Sequence, residues 1–187
     1  MNEYLFDPTA FDNMKVILEG AVYDRDFYGD ILVIKRDDLM NLATLSRQYS
    51  VEFELKEPRI HKKVSGGIRL SASLENLSSE LLAGYSNESS NGSTVEVFVN
   101  LLEQLTKEQA VSILTGLAGI WGEQRSIAWT TVATMMNTKQ ESFSSTFTIS
   151  FDRLVKEDQI DDLVDMIEYL IQSLQWMETF FKRGMDQ

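Results

Sequence analysis

The chain contains no cysteine, a single histidine and only two prolines. The missing thiols exclude disulfide frameworks, thiolate nucleophiles and cysteine-bound zinc or iron–sulfur centres. With His61 as the only imidazole, any mechanism that needs a histidine base must run through this residue, and any site with two histidine ligands is ruled out. His61 stands in Arg59-Ile60-His61-Lys62-Lys63, where neighbouring cations disfavour its protonated form, and it reads as an ordinary loop histidine. No Gly-x-Ser-x-Gly elbow offers a nucleophilic serine. No stretch approaches the run of about 20 apolar residues that crosses a bilayer, and Met1–Pro8 has neither a basic leader nor an apolar core. These absences lead us to expect a cytoplasmic protein with no cofactor, no metal and no membrane partner.

What is present has the balance of a folded domain. Of 187 residues, 43% are hydrophobic and 25% charged, which is enough apolar material for one packed core without a metal or disulfide staple. The formal charge of −12 repels phosphate backbones, so direct nucleic-acid binding is not expected and basic partners are favoured. Half of that excess lies in Glu157–Glu168, where Glu157, Asp158, Asp161, Asp162, Asp165 and Glu168 occur without a base. Lys56, Arg59, Lys62, Lys63 and Arg69 form a smaller island of opposite sign.

Hydrophobic patterning predicts an α+β domain spanning residues 1–187. A mostly antiparallel sheet of about six to seven strands carries two to three helices, one of them a long C-terminal amphipathic helix. Met14–Tyr23 and Ile31–Ile34 are apolar on both alternations and read as a hairpin of buried strands. Asp37 or Asp38 then caps a short helix carrying Leu39, Leu42, Leu45 and Tyr49 on one face. Val51, Phe53 and Leu55 alternate with glutamates in a strand that Pro58 ends; Ile68, Leu70, Ala72 and Leu74 alternate in the next. Residues 78–93, rich in Ser, Asn and Gly, read as a flexible connector.

Residues 94–102 fit both strand and helix spacing, and their β-branched valines favour strand. Thr106 followed by Gln109 is a capping box opening a helix to about Trp121. Gly116, Gly119 and Gly122 sit late in that helix without a Lys-Ser/Thr pair, so they read as close-packing or C-terminal glycines and not as a phosphate loop. Ile127–Met136 and Phe143–Phe151 form a second hairpin. From about Glu157 to Lys182 an apolar stripe of Ile160, Leu163, Val164, Ile167, Leu170, Ile171, Leu174, Met177 and Phe181 marks the long helix.

Three aromatics, Tyr169, Trp176 and Phe180, fall off that stripe, and Asp158, Asp161, Asp162 and Asp165 recur at helical spacing along its first turns. Carboxylates there complement the helix macrodipole, and no glycine-containing calcium loop accompanies them. Together the two sets nominate the C-terminal helix as a docking surface for a protein partner with a basic or mixed surface. An adaptor, a secretion-type chaperone or an immunity-type inhibitor fits that pattern; a homodimer through the aromatic strip is the competing use. Two other classes stay open: an inhibitor that imitates nucleic acid, and an enzyme built on a carboxylate pair.

Overall fold

The computed structural model describes residues 10–56, 64–81, 92–136 and 140–185. Its sheet has six strands in the order β1-β2-β3-β4-β6-β5, every neighbouring pair antiparallel. In chain order the elements are α1 (Ala10–Tyr28), β1 (Ile31–Asn41), β2 (Ser46–Leu55), β3 (Val64–Ala72), α2 (Leu74–Leu81), β4 (Thr94–Leu101), α3 (Lys107–Trp121), β5 (Ser126–Met136), β6 (Gln140–Ser150), a 3-10 turn (Glu157–Gln159) and α4 (Ile160–Met185). The α+β class, the antiparallel sheet and the long C-terminal helix agree with the sequence. No helix among the described residues is long and apolar enough to cross a membrane.

One face of the sheet is the core. Tyr49, Val51 and Phe53 of β2, Ile68 and Leu70 of β3, Val95, Val97, Val99 and Leu101 of β4, and Phe147 and Ile149 of β6 are all fully buried there. Their alternation with polar residues is the period of two that a half-covered strand requires. α4 covers β2, β3 and β4, α1 packs beside it, and α3 closes the β5 side. Gly66 in β3 sets how close α4 comes, because a Cβ there would stand 2.7 Å from Leu170 Cδ1. Leu170 and Leu174 drop into the notch that the absent side chain leaves. The other face is polar: Glu52 accepts from Ser65 Oγ (2.6 Å) and Asn100 Nδ2 (2.9 Å), Thr146 Oγ1 donates to Asn100 Oδ1 (2.9 Å), and Arg69 pairs with Glu96 (3.0 Å).

Several expectations are corrected. Met14–Tyr23 belongs to helix α1 and not to a strand. Phe11, Met14, Leu18 and Val22 are its buried stripe, while Val16, Ile17 and Tyr23 are exposed apolar residues that fill the other alternation and mask the 3.6-residue period. The segment that would have turned that hairpin, Asp24–Asp30, is accordingly the helix end, closed at Gly29 with φ 88° and hydrogen bonds from the Gly29 and Asp30 N–H groups to the Arg25 carbonyl. The short helix after Asp37 and Asp38 is instead the far end of β1 and its turn into β2. Asn41 Oδ1 accepts from the Ala43 and Thr44 N–H groups there, and Leu39, Leu42 and Leu45 are exposed, not a buried stripe.

Leu74 opens α2 and does not extend β3, since Ser73 caps that helix through Asn76. Reassigning α1 and adding α2 brings the helices among the described residues to four. Residues 94–101 are a strand, β4, and the helix after Thr106 carries the full capping box, Gln109 N–H to Thr106 Oγ1 and Thr106 N–H to Gln109 Oε1. Pro58, His61 and the cations Arg59, Lys62 and Lys63 lie outside the described residues, as does most of the 78–93 connector. Of that connector, 78–81 finish α2, and Ser93 exchanges two 2.9 Å backbone hydrogen bonds with Val155, anchoring the segment that leads into α4.

Candidate functional site

The acids and aromatics of α4 divide between two places. Asp162, Asp165 and Tyr169 are spaced i, i+3 and i+7 and share one helical face. That face looks into a cavity of about 410 Å³ closed by the end of α3 and by the strand ends beside it. Trp176 and Phe180 lie further along, half-buried, with their rings stacked at 5.4 Å. Trp176 packs on Gly116 of α3, where an added Cβ would come within 2.1 Å of Cζ2 of its ring. The strip therefore serves the α3–α4 contact at Trp176 and opens to solvent at Tyr169, which is 46% exposed.

The cavity is assembled from chain reversals. α3 stops at Gly122, φ 94°, whose N–H bonds the Ala118 carbonyl (2.9 Å); Arg125 N–H then bonds the Gly122 carbonyl (3.1 Å) and the chain enters β5. Those turns set the Arg125 guanidinium over the Phe151 ring at 4.9 Å. Trp121, the last residue of α3, meets Phe151 edge-on at 6.0 Å and Tyr169 at 5.5 Å. Its Nε1 donates to Ser173 Oγ (2.9 Å), which donates in turn to the Tyr169 carbonyl (2.8 Å), so the indole is fixed to α4 by a buried chain of hydrogen bonds.

The charges around this aromatic floor are unequal in their engagement. Asp162 holds Arg153 at 2.6 Å, whereas Asp165 is exposed and has no partner among the described residues. Asp158 and Asp161 are also exposed and do not line the cavity. Glu157 accepts from Asn13, and Glu168 pairs with Arg25, which also holds Asp30 at 3.0 Å. Half of the six-acid cluster is thus bound within the molecule, tying the start of α4 to α1 and to the segment after β6. Among the described residues no group of three or more acids or histidines comes together as a metal site.

Trp121, Phe151, Arg125 and Arg153 were not singled out from the sequence. Trp121 and Arg125 lie 26 to 32 residues from Phe151 and Arg153, across two strands, and only the pairing of β5 with β6 brings the two pairs together. Trp121 alone had a signal, as the last residue of the expected helix, just before Gly122. The chain matches no protein-family model, no curated protein and no solved structure.

Proposed function

We propose that the chain is a non-enzymatic protein-binding domain whose α3–α4 cavity receives a basic side chain of a partner protein. The observation that carries this reading is the convergence of Asp165 with the rings of Trp121 and Tyr169 in one solvent-open cavity, whose Phe151 face is already taken by Arg125. A carboxylate beside aromatic faces favours a guanidinium or ammonium twice, by charge and by the ring quadrupole, the latter worth about 0.5–2 kcal/mol. Arg125 over Phe151 already illustrates the geometry within the protein. The net charge of −12 adds long-range attraction for a basic partner.

The alternatives have less support. Of the six-acid cluster, a surface imitating nucleic acid keeps only Asp158, Asp161 and Asp165 unengaged, since Glu157, Asp162 and Glu168 are held by Asn13, Arg153 and Arg25. Carboxylate-pair chemistry in the cavity has one unengaged acid, Asp165, and not two.

The test uses peptides selected from a random display library on the native protein, with affinities measured by fluorescence anisotropy. The selected sequences are expected to share a Lys or Arg, to weaken with salt, and to lose about tenfold or more in affinity on Asp165→Lys. Peptides without a common base, or binding unchanged by both Asp165→Lys and Tyr169→Ala, overturn the reading.

A further inference from the structure

The two edges of the sheet are built differently. β1 carries Lys35, Arg36, Asp37 and Asp38 along its middle and a register shift between Val33 and Lys35. Charges and irregular pairing blunt an outer strand. β5 has neither device: Ser126–Met136 is eleven residues without charge, glycine or proline, paired to β6 in unbroken register. From Thr130 to Met136 every residue is exposed, with Val132, Met135 and Met136 at 54%, 66% and 60%. The pairing of β4 with β6 ends at Leu101 and Ser145, so residues 140–144 pair with β5 alone and the hairpin extends past the sheet as a two-stranded arm. A two-stranded ribbon with no third layer is marginal in water.

We infer that β5 is a homodimer interface, pairing antiparallel with β5 of a second copy about a two-fold axis near Thr131. Three observations select a second copy as the occupant. A two-fold axis sets each residue near it against its own counterpart, so any charge there would meet its like; β5 carries none. The acids that would repel another copy gather beyond the Ser126 end of the strand, around Asp162 and Asp165, which share their cavity with Arg125. Antiparallel pairing sends those two ends apart along roughly 37 Å of edge, several times the screening length of about 8 Å.

The third observation is the arm. With the axis at Thr131, Met135 of one copy faces Ile127 of the other. Ile127 and Trp129 pair with the buried Ile149 and Phe147 and pack against the core, and Met135 shares their face by strand alternation. The unsupported end of each hairpin thereby reaches the side of the partner's β5 on which α3 packs. Met135, exposed in the monomer, gains cover in the pair. This inference is independent of the basic-side-chain cavity.

The absence of native cysteine makes a direct test available. The full chain is expected to run as a dimer by size exclusion with light scattering. Of the single variants Thr130→Cys, Thr131→Cys and Val132→Cys, at least one oxidises to a disulfide-linked pair, because some cross-strand pairs near the axis bring Cβ atoms within bonding reach. Leu39→Cys, on the opposite edge, stays unlinked. Thr130→Lys with Val132→Lys gives a monomer of unchanged circular dichroism. A native chain that is monomeric across the concentration range overturns the inference. So does a dimer that none of the three cysteines can cross-link, whether or not the lysine variant folds.

Discussion

The Trp176 ring lies against the backbone of Gly116, so closely that a Cβ there would stand 2.1 Å from Cζ2 of the ring. Gly119, one turn further along α3, has nothing within 4 Å of the same construction. Replacing either glycine by alanine contributes up to about 1 kcal/mol of helix propensity. At Gly119 that gain stands alone, so Gly119→Ala raises the urea midpoint. At Gly116 the ring must move, and overpacking of this kind costs about 1–3 kcal/mol. Gly116→Ala is therefore expected to lower the midpoint, and a shared direction for the two variants would refute the tight helix contact.

Tyr49 is fully buried on the core face of β2, and its hydroxyl has no hydrogen-bond partner among the described residues. Removing the hydroxyl releases a desolvated polar group, so Tyr49→Phe is expected to be neutral or to stabilise by about 1 kcal/mol in chemical denaturation. Burial also holds the phenol above the usual tyrosine range, with the Glu19 carboxylate adding to the effect. A raised folded-state pKa contributes stability that is complete below the unfolded value of about 10 and is lost as pH rises through the folded one. The stability of the native chain should therefore fall more steeply above pH about 10 than that of Tyr49→Phe, whose difference curve isolates this one group.

Much of the fold was readable because strand and helix periods were clean where a polar face exists. β2, β3, β4 and β6 alternate with Ser, Thr, Glu and Asn; α3 announces itself by its cap, and α4 by nine apolar residues in register over its length. The failures occur where apolar residues are exposed. Val16, Ile17 and Tyr23 on α1, and Leu39, Leu42 and Leu45 around the β1–β2 turn, carry hydrophobicity that no core position requires, and pattern reading mistakes it for burial. Of the site, the α4 face with Asp162, Asp165 and Tyr169 was visible as helical spacing. Of its opposing wall, Trp121 is visible only as the end of a helix, while Phe151 and Arg125 arrive by tertiary pairing that no local pattern encodes.

The capping box at Thr106 predicts a simple loss. Thr106→Ala removes the acceptor for the Gln109 N–H and is expected to cost about 1 kcal/mol, read from thermal or urea unfolding. Glu108, in the first turn of α3, is held below the ordinary carboxylate range by its own backbone N–H and then by the Thr106 hydroxyl. A depressed pKa contributes stability that is present above the unfolded value and disappears as pH falls through the folded one. The stability difference between the native chain and Glu108→Gln should consequently close as the solution is acidified below pH about 4.

Trp121→Phe keeps the apolar wall of the cavity and deletes the indole N–H that reaches Ser173. A loss of about 1 kcal/mol is expected for the missing buried hydrogen bond. The selected basic peptides should bind more weakly as well, since the indole is the stronger cation acceptor of the two ring types. A variant with native stability and native peptide affinity would remove Trp121 from the wall.

The slip in register at Val33–Lys35 acquires a meaning once β5 is joined to its copy. Both outward ends of the joined sheet are then β1, whose shifted register and charged side chains make it a poor template for another molecule. A strand edge open on both sides would run on into a fibre; in the proposed dimer the count closes at two. The irregularity in the first strand is thus what makes an unguarded last strand tolerable.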